Sequence, residues 1–301
     1  MDPASRSSAA SAASHDWQVT HDLDRFLGQA GDFLRSEPAL HTVALSVTAA
    51  LRRLGHRAFG QEAPVFGFLE REGAVRAAFF RTPPYGLSLT RLSARDADAL
   101  AARLVDERHR LPGVIGDSAT ATAFADAWQR RTGAGAVLRR SERLYRLGTL
   151  TVPVPAPPGR ARVATAADRD QVARWCAEFA EFLGEDVDRD HGAWADDRAV
   201  YGGVTLWETE DGRPVAMASV TPLIAGQVRV GPVYTPPQQR GRGYAGAATA
   251  EVSRAALDSG ADDVLLFADL ANPTSTGLYQ RIGYRAVADF AVYDFTAAAT
   301  A

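Results

Sequence analysis

Apolar residues in the second half of the chain recur at two periods, and the alternation between those periods outlines a domain. Val172, Trp175, Phe179 and Phe182 stand at helical spacing between Ala167 and Leu183, after a short strand at Arg162-Val163-Ala164. Tyr201 to Glu208 and Pro214 to Pro222 read as strands joined at Glu210-Asp211-Gly212, a turn signal. A third strand runs from Gln227 to Tyr234. Residues 243–259 are small and helical and end at Gly260, a residue that favours helix C-termini. Val264 to Ala268 is a continuous apolar run, as in strands buried on both faces. A short helix from Thr274 to Ile282 stops at Gly283, and a last strand covers Phe290 to Phe295. The order predicts an α/β (α+β) fold, with a mixed central sheet flanked by helices.

The first half echoes this order less clearly. A helix is expected over Ala39 to Leu54 and strands over Val65–Glu70 and Val75–Arg81, with further signals up to an apolar alternation at Val137–Leu147. Thr82-Pro-Pro-Tyr85 resembles Thr235-Pro-Pro-Gln238, and Leu144-Tyr145 resembles Leu278-Tyr279; these two short matches raise an internal repeat without establishing it. Between the halves lies Thr151-Val-Pro-Val-Pro-Ala-Pro-Pro-Gly159. Four prolines in nine residues exclude helix and central strand, so a stiff linker at 151–159 is expected to separate domains at 15–150 and 160–301. The Ala/Ser-rich start, residues 1–14, is expected to be a disordered tail, since it lacks the apolar core of a signal peptide.

Composition narrows the chemistry. Hydrophobic residues make up 46% of 301 and charged residues 23%, the balance of a globular protein. Net charge is -3, which leaves no basic field for nucleic acid or an anionic membrane. All 33 basic residues are arginine. Without lysine there is no Walker A loop, no pyridoxal Schiff base and no Ser-x-x-Lys nucleophile. The alanine-rich, lysine-free composition suggests a high-GC bacterial gene. Cys176 is the only cysteine, so no intrachain disulfide forms, and a cytoplasmic location is expected. No Gly-x-Ser-x-Gly elbow is present, and the six histidines show no metal-ligand spacing. Asp186-x-Asp188-x-Asp190 departs from a calcium loop, because its glycine falls one place late and no glutamate closes it.

The strongest motif is Val233-Tyr-Thr-Pro-Pro-Gln-Gln-Arg-Gly-Arg-Gly-Tyr-Ala-Gly246, a strand, a glycine loop and a helix start. Helix-start N–H groups lack partners and sit at the positive end of the helix dipole, and glycine lets a phosphate approach the main chain. Arg240 and Arg242 add fork-shaped donors. Two ligands fit. Gly241-x-Gly243-x-x-Gly246, with Asp269 ending the next strand, matches the dinucleotide fingerprint of an oxidoreductase. Against it, six residues separate the strand from the first glycine, and an antiparallel hairpin precedes the strand.

The segment also resembles the GCN5-related N-acetyltransferase (GNAT) family, whose phosphate loop Gln/Arg-x-x-Gly-x-Gly/Ala is matched by Gln238, Gly241 and Gly243. Downstream, Asn272-Pro-x-Ser275-x-x-Leu278-Tyr279-x-x-Ile282-Gly283-Tyr284 is similar to that family's second motif. The likeness covers 160–301, with the first half as a degenerate copy in a tandem arrangement. It implies an acetyl-CoA-dependent N-acetyltransferase without a metal. Main-chain groups of Arg240, Gly241, Arg242, Gly243, Tyr244, Ala245 and Gly246 would hold the pyrophosphate. Val233, Tyr234 and Thr235 would pair with the pantetheine arm. Asn272 would bind the cofactor arm or simply cap its helix. Tyr279 would protonate the departing thiolate, or only pack under that helix.

Where relatives place a basic glutamate, eleven residues before Gln238, this chain has Gln227, which takes no proton. Glu178, Glu181 and Glu185 share a helical face that borders the acceptor site in the family, although a solvated acidic face has the same pattern. The partner expected is a small-molecule amine, and the first half is expected to shape its site or support a homodimer. A non-catalytic CoA-sensing or interaction module stands beside the oxidoreductase as an alternative.

Overall fold

The computed structural model describes residues 17–184 and 190–297. The expected tail and the acidic run Glu185, Asp186 and Asp188 lie outside the described residues. The chain forms two compact units: one runs to Glu142 and resumes at Ala288, and the other is Arg143–Val287.

The first unit contains β1 (Trp17–Thr20), α1 (Leu23–Ser36), α2 (Thr42–Leu54), β2 (Val65–Arg71), β3 (Ala74–Arg81), β4 (Leu87–Leu89), α3 (Ala94–Asp106), β5 (Gly113–Asp117), α4 (Ser118–Thr132) and the start of β6 (Gly135–Leu147). Strands β1 to β4 pair antiparallel in sequence order, and β4 pairs parallel with β5. The far half of the last strand, β12 (Tyr284–Thr296), lies antiparallel to β5, from Phe290 opposite Asp117 to Asp294 opposite Gly113. Trp17, Leu69, Phe79, Leu100 and Phe124 pack one core, and Phe26 stacks on Phe66 at 5.1 Å. Each such buried side chain stabilises the fold by about 2 kcal/mol. Helix α1 is absent from the expectations above because Gly28 and Gly31 interrupt its apolar stripe. Its start is set by Asp22, whose Oδ1 accepts from the N–H of Asp24 and Arg25.

The second unit repeats the order: β7 (Arg160–Val163), a 3-10 turn at Ala166–Asp168, α5 (Arg169–Phe182), α6 (His191–Ala199), β8 (Val204–Glu208), β9 (Pro214–Val220), β10 (Gln227–Tyr234), a 3-10 turn at Pro237–Gln239, α7 (Tyr244–Asp258), β11 (Asp263–Asp269), α8 (Pro273–Ile282) and β12. Again three antiparallel pairings precede one parallel pairing. Strand–helix–helix, three strands, helix–strand–helix–strand is thus read twice, which is the mixed-sheet α/β arrangement expected.

The two short sequence matches do not mark this repeat. Thr82–Tyr85 follows β3 whereas Thr235–Gln238 follows β10, and Leu144-Tyr145 lies in a strand whereas Leu278-Tyr279 lies in a helix. The proline-rich stretch forms neither helix nor strand and belongs to the second unit, whose boundary falls earlier, inside β6. Helix α6 escaped notice because only Trp194 and Ala195 along it are buried. The last strand begins at Tyr284 rather than Phe290, because Arg285, Ala286 and Val287 are exposed and break the apolar pattern.

Candidate functional site

Strand β10 carries a register shift between Val230 and Val233 where it pairs with β9. Opposite it, the Ser219 hydroxyl donates to the Gly231 carbonyl at 2.7 Å. Pro232 sits in this stretch and has no N–H to give a ladder. The parallel ladder to β11 runs from Gln227–Asp263 to Val230–Leu266 and ends there, although β11 continues to Asp269. The two strands therefore part, and the main-chain edge from Gly231 to Tyr234 faces the gap without a partner strand among the described residues.

The chain then enters the glycine loop. Gly241 and Gly243 have φ of +77° and +84°, the left-handed region that glycine adopts without a Cβ penalty. Gly243 is the N-cap of α7 and offers no side chain; the first helical bond runs from Ala247 N to Gly243 O. Among the described residues, the N–H groups from Gly241 to Gly246 have no acceptor. Gly241, Arg242 and Gly243 form an exposed turn at the positive end of a 15-residue helix, an arrangement suited to an anion. Gly246 has a second role: a Cβ there would meet Leu278 at 2.9 Å, so its bareness lets α7 approach α8. The side chain of Tyr244 is buried in the core, which leaves its main chain to the loop. Arg240 donates from Nε to the Thr235 carbonyl and lies over the ring of Phe182, and Arg242 and Gln238 are exposed.

The equivalent helix start in the first unit is already filled. Ser93 caps α3, its hydroxyl donates to Asp96 at 2.7 Å, and Asp96 pairs with Arg71. There the Ser93 hydroxyl accepts from the Asp96 N–H, whereas the second unit has glycine, with no side-chain cap, at the matching position.

Tyr279 stands on α8, 8% exposed, edge-on to Tyr284 at 6.1 Å. Burial pushes its phenol up to about 12, and Oη makes no hydrogen bond among the described residues. Asn272 is the N-cap of α8, its Oδ1 accepting from Ser275 N at 3.1 Å, which leaves its amide hydrogens available. Gln227 is completely buried at the start of β10.

Beside the loop, on the α5 face, lies a cleft of about 770 Å³. Its floor is Tyr234, whose hydroxyl donates to Glu178 Oε2 at 2.6 Å. Burial first, and this carboxylate second, push the Tyr234 phenol up to about 12. Glu178 is therefore half-buried and engaged, whereas Glu181 is exposed at the rim. Phe182 departs from the core position its spacing suggested: it is 61% exposed and carries Arg240 on its face. Arg174 and Arg213 also line the cleft. Neither was identified from sequence, and no local pattern marks them, because one is on a helix and the other on a hairpin turn. Cys176 is buried in the core under α5. No group of three or more metal-ligating side chains occurs among the described residues.

Comparison with known proteins agrees with this geometry. Residues 170–284 match the sequence model of the acetyltransferase (GNAT) family. Among solved structures, a Drosophila protein superposes with a TM-score of 0.64 at 13% identity, covering 93% of this chain and 98% of that one. A GCN5-related N-acetyltransferase from Sphaerobacter thermophilus gives 0.57 at 17% identity, covering 92% and 95%. A tandem GNAT protein from the clavulanic acid biosynthesis pathway gives 0.54 at 14% identity, covering 95% and 99%. No curated protein matches the sequence. The acetyltransferase family match thus falls within the second unit, and over the whole chain the fold is like that of the tandem GNAT protein.

Proposed function

We propose that the protein transfers an acetyl group from acetyl-CoA to the amine of a small molecule, with the second unit as the active one. The observation that carries this reading is the run of N–H groups without acceptors from Gly241 to Gly246, directly after a strand that parts from its neighbour. The loop amides and the guanidinium of Arg242 suit a pyrophosphate. The strand edge from Gly231 to Tyr234 suits an extended amide-bearing arm, which would pair with it as an added strand. Asn272 would donate to that arm. Acetyl-CoA supplies a thioester: a C–N bond forms to the amine, the C–S bond breaks, the amine loses a proton and the sulfur gains one.

Tyr279 would donate a hydrogen bond to the departing sulfur. With its phenol pushed up to about 12, it stays protonated across the neutral range. Tyr279→Phe is expected to lower kcat by roughly ten- to a hundredfold with little change in the KM for acetyl-CoA. Free-thiol release from pH 6 to 9 measures both parameters, and the loss should not vary over that range. Gln227 cannot serve as base, so the amine arrives neutral or loses its proton to water or a carboxylate of the cleft.

The dinucleotide reading loses its structural basis. The strand before the glycines ends the antiparallel series β8-β9-β10, not a parallel βαβ opening, and a 3-10 turn separates strand from loop. Titration calorimetry with acetyl-CoA, NAD(H) and NADP(H) in parallel tests the proposal. Saturable binding of acetyl-CoA alone is expected; dinucleotide binding with no response to acetyl-CoA would overturn it. No described helix is long and apolar enough to cross a membrane.

A further inference from the structure

The cleft beside the glycine loop carries charge of both signs: α5 supplies Arg174 and then Glu178 and Glu181, and the hairpin turn and the loop supply Arg213 and Arg240. None of the three arginines forms a salt bridge among the described residues. Arg174 donates to Gln171, Arg240 donates to the Thr235 carbonyl and also reaches the Tyr234 hydroxyl, and Arg213, held through its main-chain carbonyl, lies near the exposed Asp211 carboxylate. Guanidinium groups in a cleft that form no salt bridge among the described residues favour an anionic ligand group, which they grip with paired N–H donors. Past Arg174, α5 becomes acidic. Glu178 is oriented by the Tyr234 hydroxyl, and Glu181 stands one helical turn further along α5.

A phosphate on the cofactor would meet these two carboxylates as like charges, and the loop amides already offer it a better site. A ligand with a cation at one end and an anion at the other satisfies both the acidic and the basic ends of the cleft. The apolar surface of Trp175, Pro236 and Pro237 would receive what lies between.

We infer that the acceptor is an amine that also bears a carboxylate, its ammonium group held by Glu178 and Glu181 and its carboxylate by Arg213 and Arg174. Tyr234 fixes the Glu178 carboxylate, and the same residue continues the strand whose parted edge would carry the thioester arm. This assignment rests on the acyltransferase reading above and adds the chemistry of the acceptor to it.

The test compares matched pairs that differ only in the carboxylate: L-phenylalanine and phenethylamine, L-lysine and cadaverine, 4-aminobutyrate and propylamine. Thiol release is followed at saturating acetyl-CoA, with calorimetric binding of each compound to the full chain in the presence of CoA. In at least one pair the acid is expected to show a kcat/KM roughly tenfold or more above its partner, the worth of one charge-assisted contact. Arg213→Gln, at an exposed turn where folding does not depend on the side chain, should collapse that ratio through KM.

Equal or better turnover of the decarboxylated partners would overturn the inference, as would no turnover and no binding of any acid by a protein that binds acetyl-CoA. If Arg213→Gln instead weakens acetyl-CoA but not acetyl-3′-dephospho-CoA, the arginines serve the cofactor and the inference fails. Loss of acetyl-CoA binding by the unmodified protein would refute the acyltransferase reading itself, a separate result.

Discussion

Gly243→Asp is expected to weaken acetyl-CoA binding by roughly a hundredfold, because it places a carboxylate at the positive end of α7 where a phosphate should sit. The backbone there has φ +84°, a region that aspartate and asparagine enter more readily than other side chains. The new side chain would also cap a helix that now has no side-chain cap. The variant should therefore fold, with a melting temperature within a few degrees of the parent, roughly the effect of a 1 kcal/mol change. The first unit shows such a cap at the matching helix start, where the Ser93 hydroxyl accepts from the Asp96 N–H. Gly243→Asn separates the causes. It caps the helix without a charge and should cost roughly tenfold, by blocking approach alone. Equal losses in both variants would assign the effect to shape; no loss in either would remove the loop from the cofactor site. Titration calorimetry on the three proteins decides.

The largest expected effect on stability comes from Arg162→Gln. The Arg162 side chain donates from Nε to Glu208 Oε1 and from both terminal nitrogens to Asp168, at 2.6 and 2.7 Å. Glu208 is only 5% exposed, so removal of the guanidinium leaves a buried carboxylate with only the distant ion pair to Arg160 at 3.9 Å. A loss of roughly 2–4 kcal/mol is expected in urea unfolding at pH 7. Asp168 adds a pH signature. The hydrogen bond from Arg162 is the main cause that holds its carboxyl at about 2, against an ordinary value of 3.8, with burial working the other way. A native value below the unfolded one contributes stability that is complete above about pH 4 and is lost as pH falls toward 2. At this partly solvated rim the contribution is about 1–2 kcal/mol. The gap between parent and variant should therefore narrow between pH 4 and 2; a gap constant over that window would show that Asp168 gains nothing from Arg162.

Most of the second unit was legible, helix α6 and the start of the last strand aside, because each cue is local. Helical spacing over Val172 and Trp175, the apolar run of β11 and the stop at Gly283 all act within a few residues. The glycine loop was legible for the same reason: left-handed φ at Gly241 and Gly243 and a helix start are properties of one short segment. The first unit read poorly where glycines thin the stripe of α1. Its kinship to the second half lies in element order, which two stray dipeptide and tetrapeptide matches could not show.

Other features needed the folded chain. Tyr234 and Glu178 are 56 residues apart, and Arg174, Arg213 and Arg240 come from a helix, a hairpin and a loop, so their convergence is decided by packing alone. Spacing placed Phe182 in the core because a helical stripe shows which face turns inward, not how far along the helix its cover extends. The far half of β12 joins the first unit's sheet beside β5, since a strand's sequence shows that it wants partners and not which ones. Local chemistry in the chain was thus enough to specify the elements and the anion loop, while the parted strands, the cleft and its paired charges arose only when distant segments met.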